Sequence, residues 1–87
     1  MSNSDPEILA TFPKNRIEEV RVCLTEYQGM FLIDTRIYYK DSEGYKPSKK
    51  GISLRYSKLP ELLRALEKAQ GVLIERGLLE LREEENE

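Results

Sequence analysis

The chain has 87 residues, of which 14 are basic and 16 acidic, with a single cysteine and no histidine. This length suits one small domain, which buries so little of its surface that dimerisation is a common remedy. One cysteine and no histidine exclude an intrachain disulfide, a structural zinc site and histidine-dependent catalysis. We therefore expect no catalytic residue, no metal site and no cofactor.

The net charge of −2 averages over unlike parts of the chain. Residues 21–56 carry seven basic and four acidic groups, a net +3, whereas both flanking segments are negative. The apolar runs are too short to span a membrane, and the acidic N-terminus lacks the order of a secretory signal. We expect an intracellular protein, in the cytoplasm or nucleoid of a prokaryote or the nucleus of a eukaryote.

Residues 1–15 show little periodicity and predict a flexible N-terminal lead-in. From Arg16 the chain alternates, with Val20, Val22 and Leu24 on one face of a predicted strand. After Gln28-Gly29 the alternation resumes in FLIDTRIYYK, which predicts a β-hairpin.

A third extended segment, residues 45–56, follows the turn composition of residues 41–44. Pro47 cannot donate to a β-ladder, so this segment belongs at an edge or contains a bulge. Gly51 suggests a further bend, and the pattern leaves open whether the segment is one bent strand or two short ones.

The period then becomes helical, with Ser57 as the expected N-cap and a leucine stripe from Leu59 onwards. Gly71 predicts a kink or break in this helix. We expect one α+β domain over residues 16–81, with an antiparallel sheet of three to four strands, a C-terminal amphipathic helix on one face, and an acidic tail at 82–87.

Basic and aromatic side chains interleave on the other face and its loops. Phosphates favour Lys and Arg, whereas unpaired bases favour flat aromatic surfaces, so this mixture suits single-stranded nucleic acid. Tyrosines are also common in sheets, and edge lysines also prevent aggregation, so the composition admits a purely structural interpretation. Asp34, Asp41 and Glu43 could form a carboxylate cluster for metal or acid–base chemistry, but Asp41 and Glu43 flank a turn and are better explained as turn residues.

The stretch DTRIYYKDSEGYKPSKKGISL, residues 34–54, resembles the core motif of the positive cofactor four family of transcriptional coactivators. The preceding Tyr27-Gln28-Gly29 matches that family in spacing, and the resemblance covers about residues 17–70. Departures include Gln28 and Met30 where the family often has basic residues, and Tyr39 where tryptophan is common.

The resemblance implies a curved sheet, a homodimer formed through the C-terminal helices, and binding of single-stranded DNA with little sequence preference. It implies stacking of bases on Tyr27 and Tyr39. The residues that it implies for the phosphates are Arg36, Lys46, Lys49 and Lys50.

A regular strand puts Arg36 on the same face as Tyr38 and puts Tyr39 on the opposite face. A bulge between Arg36 and Tyr39 would bring them to one ligand; without it, Tyr38 is the better stacking candidate. The alternative functions are a protein-interaction module, with a polymerase or repair factor as partner, and an RNA-binding protein.

Overall fold

The structure is a computed structural model that describes residues 6–80. Its elements are strands β1 (Glu7–Pro13), β2 (Glu18–Tyr27), β3 (Met30–Asp41) and β4 (Gly44–Arg55), a 3-10 turn (Tyr56–Lys58) and helix α1 (Leu59–Glu75). The strands form one antiparallel sheet in the order β1-β2-β3-β4. The predicted α+β fold, a sheet followed by a C-terminal helix, is therefore confirmed. The predicted acidic tail lies outside the described residues.

Strands β2 and β3 form the predicted hairpin, and their register is regular throughout. It runs from Glu18 opposite Tyr39 to Tyr27 opposite Met30. The two-residue turn between them has positive φ at both Gln28 (54°) and Gly29 (78°). This backbone suits the right-handed twist of the flanking strands, so the turn fixes the register.

The regular register divides the side chains between two faces of the sheet. Directly opposed residues share a face, so Val20 with Ile37, Val22 with Thr35 and Leu24 with Ile33 form an apolar face. Helix α1 lies on this side, and we call it the helix face. The alternate positions, which include Arg21 opposite Arg36 and Cys23 opposite Asp34, form the open face.

Strand β1 lies within the segment 1–15 that the sequence predicted to be flexible, and that prediction is wrong for residues 7–13. β1 pairs with β2, with Phe12 opposite Val20 on the helix face. The register shifts between Ile8 and Ala10, so Leu9 is an extra residue that interrupts the alternation. Pairing with β2 thus makes a strand from a segment whose own pattern is irregular.

The ends of helix α1 differ from those expected. Ser57 lies within the 3-10 turn, and Lys58 is the N-cap, without a side-chain capping bond. The helix continues through Gly71, so the expected break there does not occur. It ends instead at Glu75, two residues before Gly77, whose φ is 73°. The N–H of Gly77 donates to the Ile74 carbonyl and that of Leu78 to the Leu73 carbonyl, which is a Schellman C-cap.

Apolar side chains remain widely exposed in the single chain. A cleft of about 470 Å³ separates α1 from the helix face. Its lining comes from all four strands and the first turns of α1: Phe12, Val22, Ile33, Thr35, Ile52, Leu59, Leu62, Leu63 and Leu66. Cys23 is the one buried apolar side chain among the described residues. No helix of the described part is long and apolar enough to cross a membrane.

Candidate nucleic-acid interface

A wide bulge interrupts strand β4 at the centre of the basic segment. Arg36 lies opposite Gly51 and Tyr38 lies opposite Pro47, so Ser48, Lys49 and Lys50 oppose the single residue Ile37. β4 is an edge strand that ends the sheet, as Pro47 predicted. The segment 45–56, for which the sequence left one bent strand or two short ones open, is thus mainly one strand, β4, with two extra residues.

Ser48 closes this bulge with both its side chain and its backbone. Its Oγ donates to the Ile37 carbonyl at 2.8 Å and accepts from the Lys50 N–H at 3.0 Å. Its carbonyl accepts from Nη1 of Arg36 at 3.1 Å. The bulge is therefore cross-linked to β3 at two points and has a defined shape.

Arg36 is held as firmly as the bulge that it contacts. Its Nη2 donates to Oδ1 of Asp34 at 2.8 Å and its Nε donates to Oδ2 at 3.1 Å. The Asp34 hydrogen bond is the main cause that raises the pKa of Arg36. Arg36 was predicted as a phosphate ligand, and in the free protein most of its donors serve Asp34 and Ser48.

Gly51 permits the close approach of β4 to β3 at the C-terminal end of the bulge. A Cβ on Gly51 would lie 2.6 Å from the Thr35 carbonyl oxygen and 2.8 Å from Cα of Arg36. Both atoms belong to the backbone and have no room to move aside. Glycine is thus required here by contact rather than by backbone torsion.

Lys49 and Lys50 both lie exposed in the bulge, and neither makes a salt bridge within residues 6–80. Beside them is an apolar hollow of about 310 Å³. It is lined by Val20, Thr35, Arg36, Ile37, Lys50, Gly51 and Ile52. The bulge thus presents two free ammonium groups at an apolar edge.

Lys46 is engaged by acidic neighbours. Its Nζ lies 2.9 Å from Oε1 of Glu43 and 3.4 Å from Oδ2 of Asp41. These contacts, with Glu43 first, raise the pKa of Lys46. The pKa of Asp41 is lowered, mainly by the hydrogen bond from the Glu43 N–H and to a smaller extent by Lys46. A phosphate that binds Lys46 must compete with both carboxylates.

The two predicted stacking tyrosines lie on different faces. The register puts Tyr27 on the open face, at the β2–β3 turn, where the side chain is 63% exposed. Tyr39 is on the helix face, opposite Glu18 and Lys46, and is 37% exposed. β3 has no bulge between Arg36 and Tyr39, so the strand does not bring these two residues to one face.

Tyr38 shares the open face with Arg36 but is covered. The Arg21 guanidinium lies 4.3 Å from the centre of its ring, and burial raises the pKa of Tyr38. Oε2 of Glu19 accepts a hydrogen bond from Nε of Arg21 at 2.6 Å. Tyr38 is therefore a supporting ring rather than a free stacking surface.

Sequence reasoning missed Ser48 and Arg21. Ser48 is a common turn residue, and its hydrogen bonds depend on a bulge whose length the sequence does not show. Arg21 has no role in the sequence analysis, since it only alternates with the apolar residues of the predicted strand. Its place opposite Arg36 follows once the hairpin register is fixed by the Gln28-Gly29 turn.

The acidic residues considered for metal or acid–base chemistry separate into two structural pairs. Asp34 holds Arg36, whereas Asp41 accepts from the Glu43 N–H at 2.8 Å in the β3–β4 turn. No group of three potential metal ligands occurs within residues 6–80. Burial raises the pKa of the Cys23 thiol, which disfavours the thiolate.

The fold and site define a class: a small α+β domain whose four-stranded antiparallel sheet carries a basic, bulged edge strand ahead of a C-terminal helix. The family described as Transcriptional Coactivator p15 (PC4) matches residues 14–65, more than half of the chain. The chain therefore belongs to this family, and the resemblance inferred from residues 34–54 is confirmed.

Solved structures share the fold. A PC4 homologue from Burkholderia pseudomallei aligns with a TM-score of 0.71 and 24% identity, over 76% of this chain and 98% of that chain. The bacteriophage T5 homologue of the eukaryotic coactivator PC4 aligns with a TM-score of 0.60 and 22% identity, over 87% and 85%. None of the curated proteins compared with the chain matches it.

The structure of a MoSub1–DNA complex is also similar, with a TM-score of 0.63 and 26% identity, over 84% of this chain and 90% of that chain. MoSub1 has also been solved with single-stranded DNA. These complexes concern a relative whose fold resembles that of the present chain.

The Ser48 bridge makes a testable prediction about the bulge. Ser48→Ala removes two hydrogen bonds, to the Ile37 carbonyl and from the Lys50 N–H, and should lower the free energy of unfolding by about 1–3 kcal/mol. Amide exchange at Lys49 and Lys50 should accelerate more than exchange in β2. Ser42→Ala, in the exposed β3–β4 turn, is the control and should change neither quantity. Unchanged stability and exchange in Ser48→Ala would show that the bridge does not hold the bulge.

Proposed function

We propose that the protein is a non-enzymatic, largely sequence-independent single-stranded-DNA-binding protein that acts in transcription regulation or DNA maintenance. The observation that carries this proposal is the β4 bulge. It presents Lys49 and Lys50 in a shape held by Ser48 and Arg36, and no acidic group pairs with either lysine within the described chain.

The bulge suits a phosphate backbone for an electrostatic reason. Phosphates bound to lysine release counterions from the nucleic acid, and this gain does not depend on base sequence. Because the hydrogen bonds of Ser48 already hold the bulge backbone, little ordering of that backbone is needed on binding. Exposed Tyr27 and Tyr39 offer aromatic surfaces, which stack on any base.

The relatives support DNA as the partner. MoSub1 has been solved with single-stranded DNA, and the bacteriophage T5 homologue is implicated in recombination-dependent DNA replication. In this chain, Arg36 would act mainly through the bulge that it holds, and Lys46 would contribute less than Lys49 and Lys50 because Asp41 and Glu43 compete for it.

We further propose that the protein is a homodimer through its helices. The stripe on α1 stays exposed, with Leu63 at 49% and Leu66 at 56%, and the cleft beneath it stays open. Exposed apolar surface costs about 25 cal/mol per Å², and a second copy of the helix would cover it. The sheets of the two protomers would then bind one DNA strand together, which increases avidity.

The bulge lysines give the central test. Lys49→Ala combined with Lys50→Ala should weaken binding of fluorescent oligo-dT and reduce the slope of log K against log salt by about 0.7 for each phosphate that the variant no longer neutralises. The control is Arg64→Ala combined with Lys68→Ala, which removes two charges from one exposed side of α1. Wild-type binding of oligo-dT at near-physiological salt should be micromolar or tighter.

Equal slopes for the wild type and the bulge variant would contradict the phosphate role of the bulge. Competition separates the alternative partners: unlabelled oligo-dT should displace the probe, whereas hairpin RNA and duplex DNA should compete poorly. Absence of oligo-dT binding by the wild-type protein would overturn the proposed function.

The ion pairs of Lys46 make a prediction of opposite sign. Glu43→Gln removes the nearer carboxylate from Lys46, so binding should become tighter, by a few-fold at most because an exposed ion pair is weak. In a Lys46→Ala background the same change should give a smaller gain. Glu75→Gln, at the far end of α1, controls for the net charge. An equal gain with and without Lys46 would exclude competition at this residue.

The dimer makes a prediction about mass. Leu66→Lys puts a charge on the exposed stripe and should shift the protein from dimer to monomer in sedimentation, with a large loss of stability because the charge would be buried at the interface. Ala65→Lys adds the same charge at the adjacent position, away from the stripe, and should remain dimeric. A monomeric wild-type protein would contradict the proposal.

A further inference from the structure

Tyr45 is an exposed aromatic residue on the open face to which neither the sequence nor the resemblance gave a role. It lies in β4 opposite Lys40, close to the β3–β4 turn, and is 39% exposed. The register of this hairpin puts Tyr45 on the same face as Tyr38, and hence on the face of Arg36 and Tyr27. Tyr45 therefore lies at one end of the open face and Tyr27 at the other.

Two cations flank the Tyr45 ring. The Arg21 guanidinium lies 5.4 Å from the ring centre, and Nζ of Lys40 lies 5.9 Å from it. Arg21 is itself fixed, because it lies over Tyr38 and its Nε donates to Glu19. Cations within about 6 Å of an aromatic ring are attracted to its face. Both cations are thus close enough to attract the Tyr45 ring, which stays 39% exposed.

This arrangement has the two properties that a nucleotide requires. A base needs a flat aromatic surface, and its phosphate needs a nearby cation. Tyr45 offers the surface, while Lys40 and Arg21 supply charge beside it. Tyr38 cannot take the base, because Arg21 already lies at 4.3 Å over its ring. The bulge, which begins at Ser48, is only three residues along β4 from Tyr45.

We propose that Tyr45, supported by Arg21 and Lys40, is a base-stacking subsite on the open face for the single strand whose phosphates the bulge holds. This inference rests on the proposed function and adds to it a residue and a direction. The bound DNA strand runs from the bulge towards the β3–β4 turn, and one base lies on the exposed part of the Tyr45 ring. Arg21, which lies near both tyrosine rings, is a positioning residue for Tyr45.

The test compares oligo-dT affinity across variants of Tyr45. Tyr45→Ala should weaken binding about 5- to 150-fold, the range typical for loss of one stacked base. Tyr45→Phe keeps the ring and should stay close to the wild type. Tyr45→Leu keeps apolar bulk without the ring and should behave like Tyr45→Ala, provided that thermal unfolding confirms that both remain folded. Tyr56→Ala removes a tyrosine that is 57% exposed in the 3-10 turn and is the matched control.

Each outcome decides between defined alternatives. If the wild type binds oligo-dT and Tyr45→Ala, Tyr45→Leu and Tyr45→Phe all bind it with the same affinity, the subsite is overturned and the proposed function stands. A wild-type protein that fails to bind oligo-dT overturns both. If Tyr45→Leu retains wild-type affinity and Tyr45→Ala loses it, apolar packing rather than stacking is responsible, and the subsite is rejected.

The role of Arg21 is tested through the ring that it holds. Tyrosine fluorescence should be quenched on addition of oligo-dT, and Tyr45→Phe should lose part of that quenching. Arg21→Gln should reduce the same quenching component even at saturating oligonucleotide, because the ring is no longer fixed. Unaltered quenching in Arg21→Gln would show that Arg21 does not position Tyr45.

Discussion

The unequal number of residues in paired strands β3 and β4 is the constraint on which the lysine-bearing bulge depends. Three residues of β4 oppose the single residue Ile37 of β3. β3 keeps one register with β2 over ten residue pairs, so it cannot absorb an irregularity without moving apolar residues off the helix face. The two extra residues must therefore be taken up by β4, whose outer edge has no partner strand in the described chain. Ser48 and Arg36 then convert this local excess of chain into a fixed projection that carries Lys49 and Lys50.

Charge pairing on the sheet separates supporting cations from free ones. Arg21 is paired with Glu19, Arg36 with Asp34, and Lys46 with Glu43 and Asp41. Such pairs at a surface add little stability, but they fix the direction of the side chains. The net charge of −2 therefore says little about binding, since these acids pair with particular basic side chains and no acid within residues 6–80 pairs with Lys49 or Lys50.

Much of the sheet could be predicted because burial of one face imposes a strict period of two on β2 and β3. The same rule failed for β1, where the extra residue Leu9 shifts the register between Ile8 and Ala10 and hides the alternation. Pro47 indicated an edge or a bulge, yet the length of the bulge depends on pairing with β3. The hydrogen bonds of Ser48 follow from that pairing, so no local pattern could reveal them.

The leucine stripe predicted the helix correctly, whereas Gly71 was a poor guide to its end. A single glycine costs about 1 kcal/mol in a helix, and further helical residues can offset that cost.

The division of candidate residues between the two faces constrains how one strand can use them. Tyr27, Arg36 and Tyr45 lie on the open face, whereas Tyr39 and Lys46 lie on the helix face. A DNA strand confined to one face would miss two or three of these five groups. The edge of β4 is where the two faces meet, and the bulge lies on it. Under the proposed function, a DNA strand that contacts both sets would cross the sheet edge at Lys49 and Lys50. The bulge would then be the point of passage between the faces as well as a phosphate contact.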